Sequence, residues 1–98
     1  MSKFEELINS TNPLLVNFFS ESYWPCKLMN PILKEVVLKI GKQATIIKVD
    51  INKNLQTAQL FGVTSVPTVI VFKKGEILWR QSGIIPADKL VNILGIVI

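Results

Sequence analysis

Cys26 is the chain's only thiol. It lies within Ser20-Glu21-Ser22-Tyr23-Trp24-Pro25-Cys26-Lys27-Leu28-Met29-Asn30-Pro31. An apolar run, Leu14-Leu15-Val16-Asn17-Phe18-Phe19, leads into this segment, and a helical pattern leaves it. A thiol at such a junction sits near a helix N-terminus, where backbone dipoles favour the thiolate, the form that attacks disulfides. A single cysteine cannot close a disulfide within the chain, which fits a reducing compartment. One Cys and no His leave too few soft donors for a zinc site, so no metal or other cofactor is expected.

The junction must be held by the elements around it. Ser2-Lys3-Phe4-Glu5 is a capping-box pattern, and Phe4, Leu7 and Ile8 share a helical face, so a first helix is expected over about residues 3–9. Ser10 to Pro13 is a turn cluster. Leu14 to Phe19 reads as a strand buried on both faces. Met29, Ile32, Leu33, Val36, Val37 and Ile40 recur at three and four, which predicts a helix with one broad buried face. Pro31 should kink that helix, and Gly41 should end it.

A second strand is expected over Ala44 to Ile51, a helix over Asn54 to Phe61 stopped by Gly62, and a third, buried strand over Thr68 to Phe72. Lys73-Lys74-Gly75-Glu76 is a hairpin turn, Ile77 to Gln81 a fourth strand, and residues 86–94 a closing helix with Leu90, Val91, Ile93 and Leu94 inward. Strands separated by helices imply parallel crossovers, and the hairpin imposes an antiparallel pair. The expected fold is therefore α/β: a mixed four-stranded sheet with helices on both faces.

The 98 residues suit a single domain, residues 1–98, and 49% apolar content argues against disorder. No apolar run approaches the ~20 residues that span a bilayer. Met1 to Glu6 lacks the order of a signal peptide, so a cytoplasmic location is expected. The net charge of +4 comes from scattered basic residues with no run beyond two, which argues against nucleic-acid binding.

The junction strongly resembles the active-site segment of the thioredoxin family, which normally reads Trp-Cys-Gly-Pro-Cys-Lys. Pro25, Cys26 and Lys27 match its end; Ser22 stands at the Trp position, Tyr23 at the first Cys and Trp24 at the Gly. Asn17, six residues before Tyr23, stands where the family has a buried Asp. Phe61-Gly62-Val63, Pro67-Thr68, the apolar strand and Lys73-Lys74-Gly75-Glu76 form a longer and more specific match, joined by Lys48-Val49-Asp50 and Pro31. The resemblance covers residues 3–95. It implies a thioredoxin-like fold with the usual N-terminal strand missing, which leaves residues 44–51 at a sheet edge, covered by the first helix or used in a dimer. It also implies a cis Val66–Pro67 bond facing the Cys26 loop. A groove for a bound peptide would be formed by Trp24, Pro25, Val66, Pro67, Gly83 and Ile84.

In the family the first Cys attacks a disulfide and the second resolves the mixed disulfide. Tyr23 carries a phenol, so it is inactive at the attacking position. Cys26 matches the resolving residue, which the family keeps shielded. Whether the chain is an enzyme thus stays open. Asn17 cannot exchange a proton near neutral pH. Lys48, deprived of the family's acid, needs another partner, and Asp50 shares its strand face.

Two readings follow. One is a thioredoxin-like protein of the thiol–disulfide, cell-redox class with at most monothiol chemistry, Cys26 forming mixed disulfides with glutathione or a protein. The other is a redox-inactive module that binds a peptide or protein partner in the groove. A monomer or weak dimer is expected. Cys26 can equally be a small buried core residue, Trp24 an exposed aromatic suited to recognition, and Trp79 core or partner packing.

Overall fold

The computed structural model describes residues 2–98; Met1, the first residue of the expected 1–98 span, lies outside the described residues. The elements are α1 (Lys3–Asn9), β1 (Leu14–Phe19), α2 (Met29–Ile40), β2 (Thr45–Asp50), α3 (Leu55–Leu60), β3 (Thr68–Lys73), β4 (Glu76–Ser82) and α4 (Ala87–Val97). Ser2 caps α1: its hydroxyl accepts from the Glu5 N–H at 3.1 Å and donates to the Glu5 carboxylate at 3.2 Å.

The sheet order is β2-β1-β3-β4. β1 runs parallel to β2 and antiparallel to β3, and β3 runs antiparallel to β4. Alternation along β1 sends Leu15 to the face covered by α2 and α4, where it joins Met29, Leu33, Val36, Leu90 and Leu94. Leu14, Val16 and Phe18 go to the other face, against Ala58 of α3 and Phe4, Leu7 and Ile8 of α1. The expected layered α/β architecture is thus present, with two cores sharing one sheet.

The β3–β4 hairpin turns through Lys74 (φ 52°) and Gly75 (φ 84°), the twisted two-residue turn that suits adjacent strands. Gly75 is favoured chiefly by its backbone, and a side chain there would also displace Asn9. Its φ is left-handed, and a Cβ there would lie 2.8 Å from Asn9 Oδ1. The turn is tied to the end of α1 by Gly75 N–H to Ile8 O at 3.0 Å and Lys74 N–H to Ser10 O at 2.9 Å.

Three expectations are corrected in and around α2. Pro31 does not interrupt the helix; it is the third residue of α2, where an N–H has no partner within the helix itself. The irregularity lies upstream, as a 3-10 turn over Trp24–Leu28, and the backbone changes to α geometry just before Pro31. Val37, expected inward, is 47% exposed, because the side of α2 above β2 is open. The first helix does not cover the β2 edge either: its end is tied to the β3–β4 turn, at the other side of the sheet.

Candidate functional site

The registers bring three segments to one end of the sheet. Phe18 pairs with Thr68, Thr68 with Ser82, and Phe19 with Asp50. The loop after β1, the residues before β3 and the residues after β4 must therefore lie together. These are the Tyr23–Cys26 loop, Val66–Pro67 and Gly83–Ile84. Gly83 N–H donates to Pro67 O at 2.8 Å, which fastens the last two. Thr68 Oγ1 donates to Ser65 O at 2.7 Å and lies 2.9 Å from Ser82 Oγ, so the turn ahead of β3 is held from both sides. The Val66–Pro67 peptide is cis. Neither Val66 N–H nor Val66 C=O makes a backbone hydrogen bond among the described residues.

The loop is built tightly. Tyr23 N–H reaches back to Ser20 O at 3.2 Å, and Cys26 N–H to Tyr23 O at 3.1 Å. Pro25 sits in the first turn of the 3-10 segment, where its missing N–H is harmless. Upstream, Asn52 Nδ2 donates to Ser20 Oγ at 2.9 Å, and Ser20 Oγ lies 2.9 Å from Ser22 Oγ. Asn52 is itself set by its N–H to Asp50 Oδ1 at 2.9 Å. Sequence reasoning missed Asn52 and Ser20. The turn residues after β2 were the available signal, but their contact with the loop is long-range.

This arrangement sorts the site residues by exposure. Trp24 is 64% and Tyr23 49% exposed, whereas Cys26 is 3% exposed. Pro25 and Val66 are half-buried, Pro67 is buried, and Gly83 and Ile84 are exposed. Trp79 lies apart, opposite Val71 in mid-sheet and half-buried against the α2–α4 core.

In mid-β1, between Lys48 and Val69 of the neighbouring strands, Asn17 is fully buried, and neither its Nδ2 nor its Oδ1 has a hydrogen-bond partner. A buried carboxamide without partners destabilises the fold by about 1–3 kcal/mol. Lys48, beside Asn17 in the β1–β2 register, does not turn to Asp50 as expected. Its Nζ donates to Asn30 Oδ1 of α2 at 2.7 Å and lies 4.7 Å from the centre of the Phe19 ring. Asp50 is already engaged by the Asn52 N–H. A cavity of about 380 Å³ borders Cys26, between Ser20, Glu21, Lys27, Asn30 and Lys48. Among the described residues, no cluster of His, Cys, Asp and Glu could hold a metal, and no helix is long and apolar enough to cross a membrane.

Comparison with known proteins agrees with this geometry. The Thioredoxin family model matches residues 1–95. A thioredoxin of Staphylococcus haemolyticus is 39% identical, the match covering 95% of this chain and 88% of that one. A thioredoxin of Haemophilus influenzae is 32% identical, covering 90% and 82%. Thioredoxin Y, chloroplastic, of Oryza sativa subsp. japonica is 37% identical over 93% of this chain, which spans only 55% of that protein's length. Among solved structures, a mutant thioredoxin from Halobacterium salinarum NRC-1 superposes with a TM-score of 0.84 at 23% identity, over 96% of this chain and 81% of that one. That last likeness is one of fold.

Proposed function

This chain belongs to the thioredoxin family, and from that premise we propose that it acts as a peptide- or protein-docking module with at most monothiol chemistry at Cys26. The observation that carries the proposal is the contrast within the loop: the apolar ring of Trp24 faces solvent while the only thiol is 3% exposed.

The chemistry supports the same reading. Reducing a disulfide takes two electrons from two thiols. The first thiolate forms a mixed disulfide and expels one substrate thiolate. The second attacks the protein sulfur of that bond, frees the other substrate thiol and leaves an internal disulfide. A chain with one thiol cannot complete this. Tyr23 offers no sulfur, and Asn17 carries no exchangeable proton to pass to Cys26 near neutral pH. Docking needs neither. Trp24 and Ile84 supply apolar contact, and the free backbone groups of Val66 can pair with an extended peptide.

A second reading rests on the cavity beside Cys26. It is bordered by Lys27 and Lys48 against the single carboxylate of Glu21, a net positive lining that suits the carboxylates of a glutathione moiety. Cys26 thiolate would attack one sulfur of oxidised glutathione, form the mixed disulfide and release one glutathione thiolate.

The test is a ¹H–¹⁵N titration with reduced, alkylated insulin B chain, run on the wild type and on Cys26→Ser. Perturbation of Trp24, Val66 and Ile84 in both proteins is expected. Loss of those perturbations in Cys26→Ser, or their absence throughout, contradicts the docking reading.

A further inference from the structure

The β2 edge carries a second surface, continuous through Asn30 and Lys48 with the cavity beside Cys26, that the loop does not explain. Among the described residues, β2 is the last strand on its side of the sheet and pairs with β1 alone. Thr45 N–H donates to Pro13 O at 2.8 Å and Ile51 N–H to Phe19 O at 2.9 Å. In a parallel pair, alternate residues turn both backbone groups to the same neighbour. The odd-numbered residues of β2 therefore face β1, and Ile46 and Lys48 point their N–H and C=O groups outward. The free ladder ends at Asp50, whose carbonyl already accepts from Lys53 N–H at 3.2 Å and Asn54 Nδ2 at 2.9 Å.

An apolar groove of about 600 Å³ runs alongside, between this edge and α2. Leu33, Val37, Leu38 and Ile46 line it, and Leu38 is 84% exposed. Its charged lining is Lys34 and Lys48, with no carboxylate among the lining residues. The acid next along α2, Glu35, is held by Lys39 at 3.2 Å. An unpaired strand beside an apolar groove is a template for strand addition. The charges choose the occupant. Two copies joined edge to edge would bring two pairs of lysines together, whereas an acidic segment would neutralise them.

We propose that the β2 edge and the α2 groove bind a short extended segment of another protein, apolar where it faces Leu33, Val37 and Ile46 and carrying Asp or Glu where it meets Lys34 and Lys48. The segment would add a fifth strand through the outward backbone groups of Ile46 and Lys48. This surface shares Asn30 and Lys48 with the cavity beside Cys26 but none of Trp24, Val66 and Ile84, so it stands or falls apart from the docking proposed at the loop.

The probe is a blocked heptapeptide of alternating valine and glutamate, with a valine–lysine peptide as its counterpart. Binding is read by amide hydrogen exchange and ¹H–¹⁵N shifts. The acidic peptide should slow exchange at the Ile46 and Lys48 amides by about tenfold or more at saturation, and the basic one should not. A Lys34→Glu/Lys48→Glu variant should reverse that preference, and Lys34→Glu alone should weaken it in the same direction. Four outcomes overturn the proposal: no protection of those two amides, equal effects of both peptides, perturbation confined to Trp24 and Ile84, or protection that rises with protein concentration without peptide. The last result would make a second copy the occupant.

Discussion

Trp24 and Cys26 are two positions apart on one 3-10 turn, yet one ring is largely in water and one thiol is almost sealed. The outer layer of the loop end, with Trp24, Val66, Gly83 and Ile84, is an accessible surface. The inner layer holds the buried Cys26, and the buried Asn17 of β1 has no hydrogen-bond partner, so no proton-transfer group stands at either position. The contrast teaches that docking and redox turnover have separate requirements on this fold. Docking needs an apolar rim and free backbone groups. Turnover needs two thiols and a proton acceptor beneath them.

The sharpest way to break the contrast is to restore the inner chemistry. The wild type should reduce insulin disulfides with NADPH and a thioredoxin reductase no faster than background. Tyr23→Cys should turn over measurably, because it recreates a Cys-Trp-Pro-Cys pair. Adding Asn17→Asp should raise that rate further, by about 10²-fold if the carboxylate serves as a general base. Turnover by the wild type at the rate of an ordinary thioredoxin would end the account.

Stability should follow the same division. Met29→Ala, in the core below the loop, should cost about 2–5 kcal/mol in urea unfolding. Trp24→Ala, on the rim, should stay within about 0.5 kcal/mol of the wild type. A large loss for Trp24→Ala would show that the ring is structural and not a docking element.

Smaller effects separate the two inner residues. Cys26→Ser places a hydroxyl in a sealed site and should cost about 1–3 kcal/mol. Asn17→Val removes two unpaired polar atoms and suits a buried strand, so it should raise stability by about 1 kcal/mol. Destabilisation by Asn17→Val would mean that the carboxamide has a partner in solution.

Much of this frame was legible in the residues. The unbroken apolar runs at 14–19 and 68–72 reported strands covered on both faces, and Lys74-Gly75 reported the hairpin. What escaped depended on distant neighbours. Val37 has a core-like period, but whether it is covered depends on what lies beyond β2. Lys48 was matched to Asp50 along one strand, while its actual partner, Asn30, comes from α2 across the chain. The 3-10 form of 24–28, with Pro25 in its first turn, is a local winding that no simple helical period reports.

The separation of surface from chemistry rests finally on the thiol. Iodoacetamide labelling of Cys26 at pH 7, native against urea-unfolded, measures its accessibility directly. The account predicts slow native labelling that speeds up by about 10²-fold or more on unfolding, as expected when reaction requires an opening of the fold. Native labelling as fast as that of an activated catalytic cysteine would contradict it and make monothiol chemistry the main activity of this site.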